Sequence, residues 1–264
     1  MLKGVLHIHS RYSDGEFTLD ELRKIFLCEG CSFVCMTDHA EYFNEDSILR
    51  YVAECEALSD AKFRFVPGLE YRCERNMHIL GYHATQLTPA TDPQVVIRHI
   101  DAQGALSVVA HPRDDFFQWI EGFAALPQGI ETWNTKYDGR YAPRSGTFAL
   151  LQRLKGRSPG MHAFYGIDLH WKRQFRSFFV NLDCDSIETG AILAALREGK
   201  YSAQKEDLHL PSSGVLPDPL LRQFDRVHAR SHRMRNWLKN SKKALDRYGI
   251  RFPESVKAQL RRIF

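Results

Sequence analysis

Residues 6–15 read LHIHSRYSDG, and this segment decides the fold that the sequence predicts. The apolar run Gly4–Leu6 leads directly into His7, with His9 and Asp14 close behind. An apolar run of this kind is typical of a buried parallel strand. Alternate residues of a strand point to the same face, so His7 and His9 are expected to face a common site at the end of the strand.

Further imidazole and carboxylate side chains follow apolar runs along the chain. Phe33–Met36 precedes His39, and Leu106–Ala110 precedes His111. In barrels of βα units the chemistry collects where the strands end. The potential metal ligands are His7, His9, Asp14, His39, Glu70, His78, His111, Asp168 and His170. Imidazole and carboxylate together favour Zn, Mn or Fe over Mg or Ca. Nine ligands are more than one ion can use, so two or three divalent metals are expected. The competing interpretation of any single histidine is a core side chain whose ring nitrogens are satisfied by hydrogen bonds.

Strand-like and helix-like segments alternate through most of the chain and predict an α/β fold. Thr18–Glu21 has the form of a capping box, Asn44 can cap a second helix, and Asp92-Pro93 can start a third. Phe63–Cys73 is expected to be a strand. A βα rhythm with about seven or eight strands predicts a parallel sheet closed into a barrel.

The chain is expected to divide into residues 1–210, a metal-binding barrel, and residues 211–264, a basic helical extension. Turn formers at Pro211–Gly214 and Pro217–Pro219 mark a linker between them. From Leu221 onward the chain has thirteen basic and three acidic residues, a net charge of +10. Because the net charge of the whole chain is +4, the residues before Leu221 have a net charge of −6. The candidate residues for docking this helix on the barrel are Leu221, Phe224, Val227, Trp237 and Leu238.

The bulk composition is that of an ordinary globular protein. The chain has 264 residues, of which 44% are hydrophobic and 26% charged. No apolar stretch approaches the ~20 residues of a membrane span, and no secretory signal is evident. Six irregularly spaced cysteines are too few for a disulfide scaffold. We therefore expect a cytoplasmic protein with reduced thiols and no membrane partner.

The ordered motifs LHIHSRYSDG, TDH, PGLEYRC, HILGY, AHP and GIDLH resemble those of the polymerase and histidinol phosphatase (PHP) superfamily over Leu2 to Ala203. The resemblance implies a distorted (β/α)7 TIM-like barrel, with a C-terminal helical extension here, and a phosphoesterase activity that uses up to three metals. It would place His7, His9, Glu70 and Asp168 on a first metal. A second metal would be held by Glu70, His78 and His111, and a third by Asp14, His39 and His170.

Bound metals lower the pKa of water towards neutrality, so the cluster would supply hydroxide as the catalytic nucleophile. Asp38 is expected to be either an acceptor that orients an imidazole or a ligand itself. Arg113, Lys136 and Arg140 follow predicted strands and are candidates for binding substrate phosphate. The competing interpretation of these three cations is an ordinary surface charge.

The sequence favours a phosphomonoesterase that acts on a phosphorylated small molecule. The first alternative is a phosphodiesterase or nuclease, because a basic helix can bind nucleic acid. The same charges can equally form the solvated face of a helix that docks on the barrel. The second alternative is a non-catalytic metal-binding module that recruits a partner.

Overall fold

In the computed structural model of the protein, residues 1–139 and 141–247 are described, apart from the side chains of residues 232, 235–236 and 238–247. The strands are β1 Leu2–Ile8, β2 Phe33–Met36, β3 Asp38–His39, β4 Arg64–Val66, β5 Gly68–Arg72, β6 His78–Tyr82, β7 Leu106–Val109, β8 Gly129–Asn134, β9 His162–Gly166, β10 Phe179–Leu182, β11 Tyr201–Lys205 and β12 Leu208–Pro211. The α-helices are α1 Leu19–Cys28, α2 Glu45–Ala57, α3 Pro93–Ala102, α4 Phe117–Glu121, α5 Ser145–Lys155, α6 Thr189–Arg197 and α7 Asp218–Arg247.

The strands form two six-stranded mixed sheets, ordered β12-β11-β10-β1-β2-β4 and β3-β5-β6-β7-β8-β9. The α/β class is confirmed, but the expectation of a wholly parallel sheet is wrong. β6 runs antiparallel to both β5 and β7. The short connection from Arg72 to His78 makes β5 and β6 a hairpin. The sheets are not joined into one closed ladder, so the predicted barrel is not confirmed. The single strand predicted over Phe63–Cys73 is divided at Pro67, which has no N–H for a ladder.

Backbone contacts join the end of β9 to the end of β1. Ile8 and Leu169 form a parallel bridge. The Asp168 amide donates to the His7 carbonyl at 2.9 Å, and the His9 amide donates to the Leu169 carbonyl at 3.0 Å. Two segments far apart in sequence, LHIHS and GIDLH, are thereby placed side by side.

Local sequence signals start the helices as expected. The Thr18 hydroxyl accepts from the Glu21 amide, and the Glu21 carboxylate accepts from the Thr18 amide, which completes a capping box before α1. Asn44 caps α2 in the same reciprocal way with Ser47. Asp92 caps α3, with Pro93 in its first turn. The predicted starts of these three helices are confirmed.

The hairpin β11–β12 and the docking of α7 complete the fold beyond the predicted barrel strands. Phe224 of α7 is 3% exposed, and Leu221 and Val227 pack against the core. His228 Nε2 lies 2.9 Å from the Ala142 carbonyl oxygen. Trp237, also expected to dock, is 66% exposed. The side chain of Leu238, the last of the docking candidates, lies outside the described part of the structure.

All six cysteines are free thiols. In the described ranges, no helix has the length and apolar character required to cross a membrane.

Candidate metal centre

The structure brings all nine predicted ligand residues together at one edge of the two sheets. Because β6 is antiparallel to its neighbours, its first residue, His78, reaches the edge where β5 and β7 present Glu70 and His111. Four overlapping groups have ligand atoms within 4.8 Å of one another: His9, Asp14, His39 and His170; His7, His9 and Asp168; His7, Glu70 and His111; and His39, Glu70 and His78.

Glu70 is the centre of the cluster, and its side chain is 2% exposed. Its Oε1 lies 2.7 Å from His78 Nδ1 and 3.2 Å from His111 Nε2. Its Oε2 lies 3.4 Å from His7 Nε2, 3.3 Å from His9 Nε2 and 3.4 Å from His39 Nδ1. With five imidazoles around two oxygens, Glu70 is placed to be shared between cations.

Asp168 and Asp14 occupy the other side of the cluster. Asp168 Oδ1 lies 3.8 Å from His7 Nε2, 3.7 Å from His9 Nε2 and 3.1 Å from His170 Nδ1. Asp14 Oδ1 lies 3.1 Å from His170 Nε2 and 3.7 Å from His39 Nε2. His9 stands between the two carboxylates, and its ring stacks on His170 at 3.9 Å.

Three of the nine residues have left-handed backbone conformations. The φ angles are +63° at His7, +27° at His111 and +56° at Asp168. The pairing of β1 with β2 shifts register between Leu6 and Ile8. His7 and His9 face a common site as expected, although the register shift and the left-handed φ at His7 show a bulge there and not regular strand alternation. Non-glycine residues held in this region cost free energy and cluster at functional sites.

Burial and neighbouring charges act in opposite directions on the pKa values of the buried acids and imidazoles. Burial opposes the charge on Glu70 and Asp168, but the surrounding histidines, His7 foremost, hold the pKa of each carboxyl well below its usual range. Burial likewise disfavours charge on His170, yet Asp14 and Asp168 raise the pKa of His170 to about 9. Burial lowers the pKa of His9 to about 3, so its ring is neutral and has a lone pair available.

Buried nitrogens without partners show that the side chains fit metal ions. His7 Nε2, both ring nitrogens of His9 and His39 Nδ1 are buried and make no hydrogen bond within the described ranges. An unpaired polar atom in a protein interior carries a desolvation cost, so such atoms are rare. Neutral imidazole nitrogens and ionised carboxylates are the donor set that Zn, Mn or Fe prefers. The cluster is therefore suited to divalent cations of this kind.

Glu131, which was not predicted from the sequence, accepts hydrogen bonds from two of the candidate ligand residues, His7 and His111. It is fully buried, accepts from His7 Nδ1 and from the His111 amide at 2.8 Å each, and accepts from Asn134 Nδ2 at 3.0 Å. A Cβ at Gly166 would overlap Glu131 Oε1, so glycine is needed there. A carboxylate that receives the second ring N–H of a metal-binding histidine fixes its tautomer and orientation. The available signal was an acidic residue inside an apolar strand, since a buried carboxylate needs partners.

Of the predicted phosphate-binding cations that lie in the described residues, Lys136 contacts the cluster and Arg113 does not. Lys136 Nζ donates to Asp168 Oδ1 at 3.0 Å and lies 3.3 Å from His170 Nδ1, with 23% of its side chain exposed. Arg113 pairs with Asp115 and is 58% exposed, and the structure does not place it in the cluster. Arg140 lies outside the described residues.

Asp38 has a structural position different from both expected roles. Its carboxylate accepts from the Ser10 amide at 2.7 Å, the Ser10 hydroxyl at 2.8 Å and the Ser13 hydroxyl at 2.6 Å. Burial raises its pKa to about 6, although these hydrogen bonds oppose the rise. The contacts fix the turn that carries Asp14, so Asp38 positions a loop and does not orient an imidazole.

Comparison with known proteins agrees with the resemblance read from the motifs. No family model matches the chain. Over 77 residues, 26% of the chain, it is 30% identical to the DNA polymerase/3'-5' exonuclease PolX of Bacillus subtilis, and this match spans only 14% of that polymerase.

Two solved structures share the fold. A two-domain protein of Bacteroides vulgatus containing a predicted PHP-like metal-dependent phosphoesterase superposes with a TM-score of 0.55 at 18% identity, over 85% of this chain and 69% of that one. PsfC from Pseudomonas syringae superposes with a TM-score of 0.53 at 12% identity, over 87% of this chain and 98% of that one. The resemblance to PHP-like proteins is therefore confirmed at the level of the fold.

Proposed function

We propose that the protein is a metal-dependent phosphoesterase of the PHP type that hydrolyses phosphomonoesters of small molecules in the cytoplasm. The observation that supports this most strongly is the convergence of nine imidazole and carboxylate side chains into four overlapping groups. Structural metal sites use about four ligands and are closed, whereas a larger open set leaves positions for water and substrate. The side chain of Asp14, one of the nine residues, is 35% exposed, so solvent reaches the cluster on that side.

In this proposal Glu70 would help to hold two of up to three cations. His7, His9 and Asp168 would hold one ion with it, and His78 and His111 another. Asp14, His39 and His170 would hold a third. When bound, such ions polarise the phosphate and lower the pKa of water towards neutrality. Glu131 would hold His7 through Nδ1 and leave Nε2 available to an ion.

Lys136 is proposed to bind the substrate phosphate. Its ammonium lies at the edge of the cluster against Asp168 and remains partly exposed. A cation bound by Asp168 would share the negative charge of that carboxylate and free the ammonium for an anion. A charge-assisted hydrogen bond from Lys136 would then orient the phosphate group.

Hydrolysis by the purified protein with added Mn tests the proposal. Phosphate release measures cleavage of a panel of phosphomonoesters, and chromatography of the products measures cleavage of a panel of phosphodiesters, which yields no free phosphate. Asp168→Asn removes a central ligand charge and serves as the inactive reference. Asp207→Asn, at an exposed hairpin position, is the matched control and should retain full activity.

The outcomes separate the three functions that the sequence allows. Release from monoesters that Asp168→Asn abolishes supports the phosphomonoesterase. Cleavage confined to diesters or oligonucleotides contradicts it and supports a nuclease, for which the basic composition from Leu221 onward is the supporting feature of the sequence. Tight metal binding without turnover of any ester supports the non-catalytic module.

A further inference from the structure

Exposed aromatic side chains are concentrated at the mouth of the metal centre. The exposed aromatic residues of the described chain are Tyr42, Tyr137, Tyr141, Trp171 and Trp237. Three of them lie against the rings of three different candidate ligands, and we call Tyr42, Tyr137 and Trp171 the aromatic rim. A few scattered exposed aromatics need no explanation, but three around one opening indicate a binding surface.

The two tyrosines of the rim cover separate sides of the cluster. The Tyr137 ring lies 4.2 Å from the His111 ring at an angle of 31°. The Tyr42 ring lies 6.2 Å from the His39 ring at an angle of 30°. Each tyrosine is 56% exposed, so one part of the ring packs on a histidine while another part faces solvent.

The third side of the rim combines an aromatic ring with positive charge. Trp171 lies 5.6 Å from the His170 ring and is 37% exposed. The Arg173 guanidinium lies 5.0 Å from the Trp171 ring, and Lys136 Nζ lies 5.2 Å from the Tyr137 ring. Aromatic faces interleaved with cations are the combination that binds the bases and phosphates of nucleotides.

We propose that the leaving group of the substrate carries a nucleobase that stacks on the aromatic rim, an inference that rests on the proposed phosphoesterase function. Each rim ring lies 4.2–6.2 Å from the ring of a candidate ligand and is at least 37% exposed, so the rim extends from the ligands towards solvent. The ring of an aryl phosphate is bonded directly to the ester oxygen and would lie over the ligands themselves. A nucleobase is separated from its phosphate by a ribose, so it can reach the rim while the phosphate is at the cluster.

The test compares AMP with ribose 5-phosphate, which has the same ester without the base. With Mn present, kcat/KM for AMP should exceed that for ribose 5-phosphate by about 5- to 100-fold, the range that base stacking provides. Tyr137→Ala and Trp171→Ala should each lower this ratio about 5-fold or more. Trp237→Ala removes an exposed aromatic residue of α7 and should leave the ratio unchanged.

Equal kcat/KM for the two esters, or equal losses on both in the rim variants, would overturn the inference and leave the phosphoesterase intact. Calorimetric titration of the Mn-loaded protein with both compounds decides the matter if neither is turned over: tighter binding of AMP supports the rim, and equal affinities contradict it. A 5'-phosphorylated tetranucleotide distinguishes the source of the base. Preference for it over AMP identifies a nucleic-acid end, and preference for AMP identifies a free nucleotide.

Discussion

Replacing Glu131 with Gln should weaken metal binding through His7 without disrupting the fold. Gln has the shape of Glu, but one of its two terminal atoms donates hydrogen bonds and does not accept them. Glu131 accepts from three buried donors, His7 Nδ1, the His111 amide and Asn134 Nδ2. The variant therefore cannot satisfy all three.

The contacts decide how the Gln side chain orients. His111 and Asn134 both donate to Oε2, whereas His7 donates to Oε1. If the amide nitrogen replaced Oε2, two buried donors would lose their acceptor, each at about 1–3 kcal/mol. If it replaces Oε1, only His7 is affected, so this orientation is favoured. His7 must then accept at Nδ1 and carry its proton on Nε2, the atom that faces Glu70 and the expected ion.

The loss expected from breaking such a carboxylate–histidine contact is about 10- to 100-fold in metal affinity. Titration calorimetry of metal-free protein with Mn would measure it, with a thermal unfolding curve to confirm that the variant is folded. Glu56→Gln, whose side chain is 74% exposed, is the matched control and should bind Mn like the parent protein. Parental affinity in Glu131→Gln would refute the reasoning that Glu131 sets the tautomer of His7.

Three further changes probe the same site. Gly166→Ala places a methyl group against Glu131 and within 2.9 Å of His7 Cβ, so urea unfolding should show a loss of about 1–3 kcal/mol in the free energy of unfolding. Gly190→Ala, which has open space around the new methyl group, should show no such loss. Equal free energies of unfolding in the two variants would count against the packing argument. The raised pKa of His170, about 9, means that its proton stabilises the metal-free fold below about pH 6.5 and that this contribution is lost as the pH rises to 9. Unfolding free energies of metal-free protein should fall over that range, and a flat profile would contradict the pairing with Asp14 and Asp168. Lys136→Met should lower kcat/KM about 10- to 100-fold at unchanged metal content, because a charge-assisted hydrogen bond is lost; unchanged kinetics would remove Lys136 from phosphate binding.

The sequence predicted the site better than the sheet that carries it. The ordered motifs identified all nine candidate ligands, and the structure places them together. Helix starts were also predictable, because the caps at Thr18, Asn44 and Asp92 depend on neighbouring residues only. Strand direction depends on connection length and tertiary pairing. The short link into β6 was a usable signal for a hairpin, whereas closure of the ring was not readable from local sequence.

Other features had no local signal at all. A left-handed backbone at His7 and Asp168 is set by the bridge between β1 and β9, two segments far apart in the chain. The carboxylate of Asp38 was expected near an imidazole because His39 is its neighbour. Adjacent residues of a strand point to opposite faces, and Asp38 instead bonds the turn at Ser10 and Ser13.

The number of metal ions held per chain tests the central claim most directly. Metal-free protein would be incubated with Mn, Zn or Fe, freed of unbound ions by dialysis and analysed by elemental mass spectrometry. The account predicts two or three ions per chain, and at least one fewer in His9→Ala, whose ring lies between the Asp14 and Asp168 sides of the cluster. Retention of no ion by the folded parent protein, or the same number in His9→Ala, would contradict it.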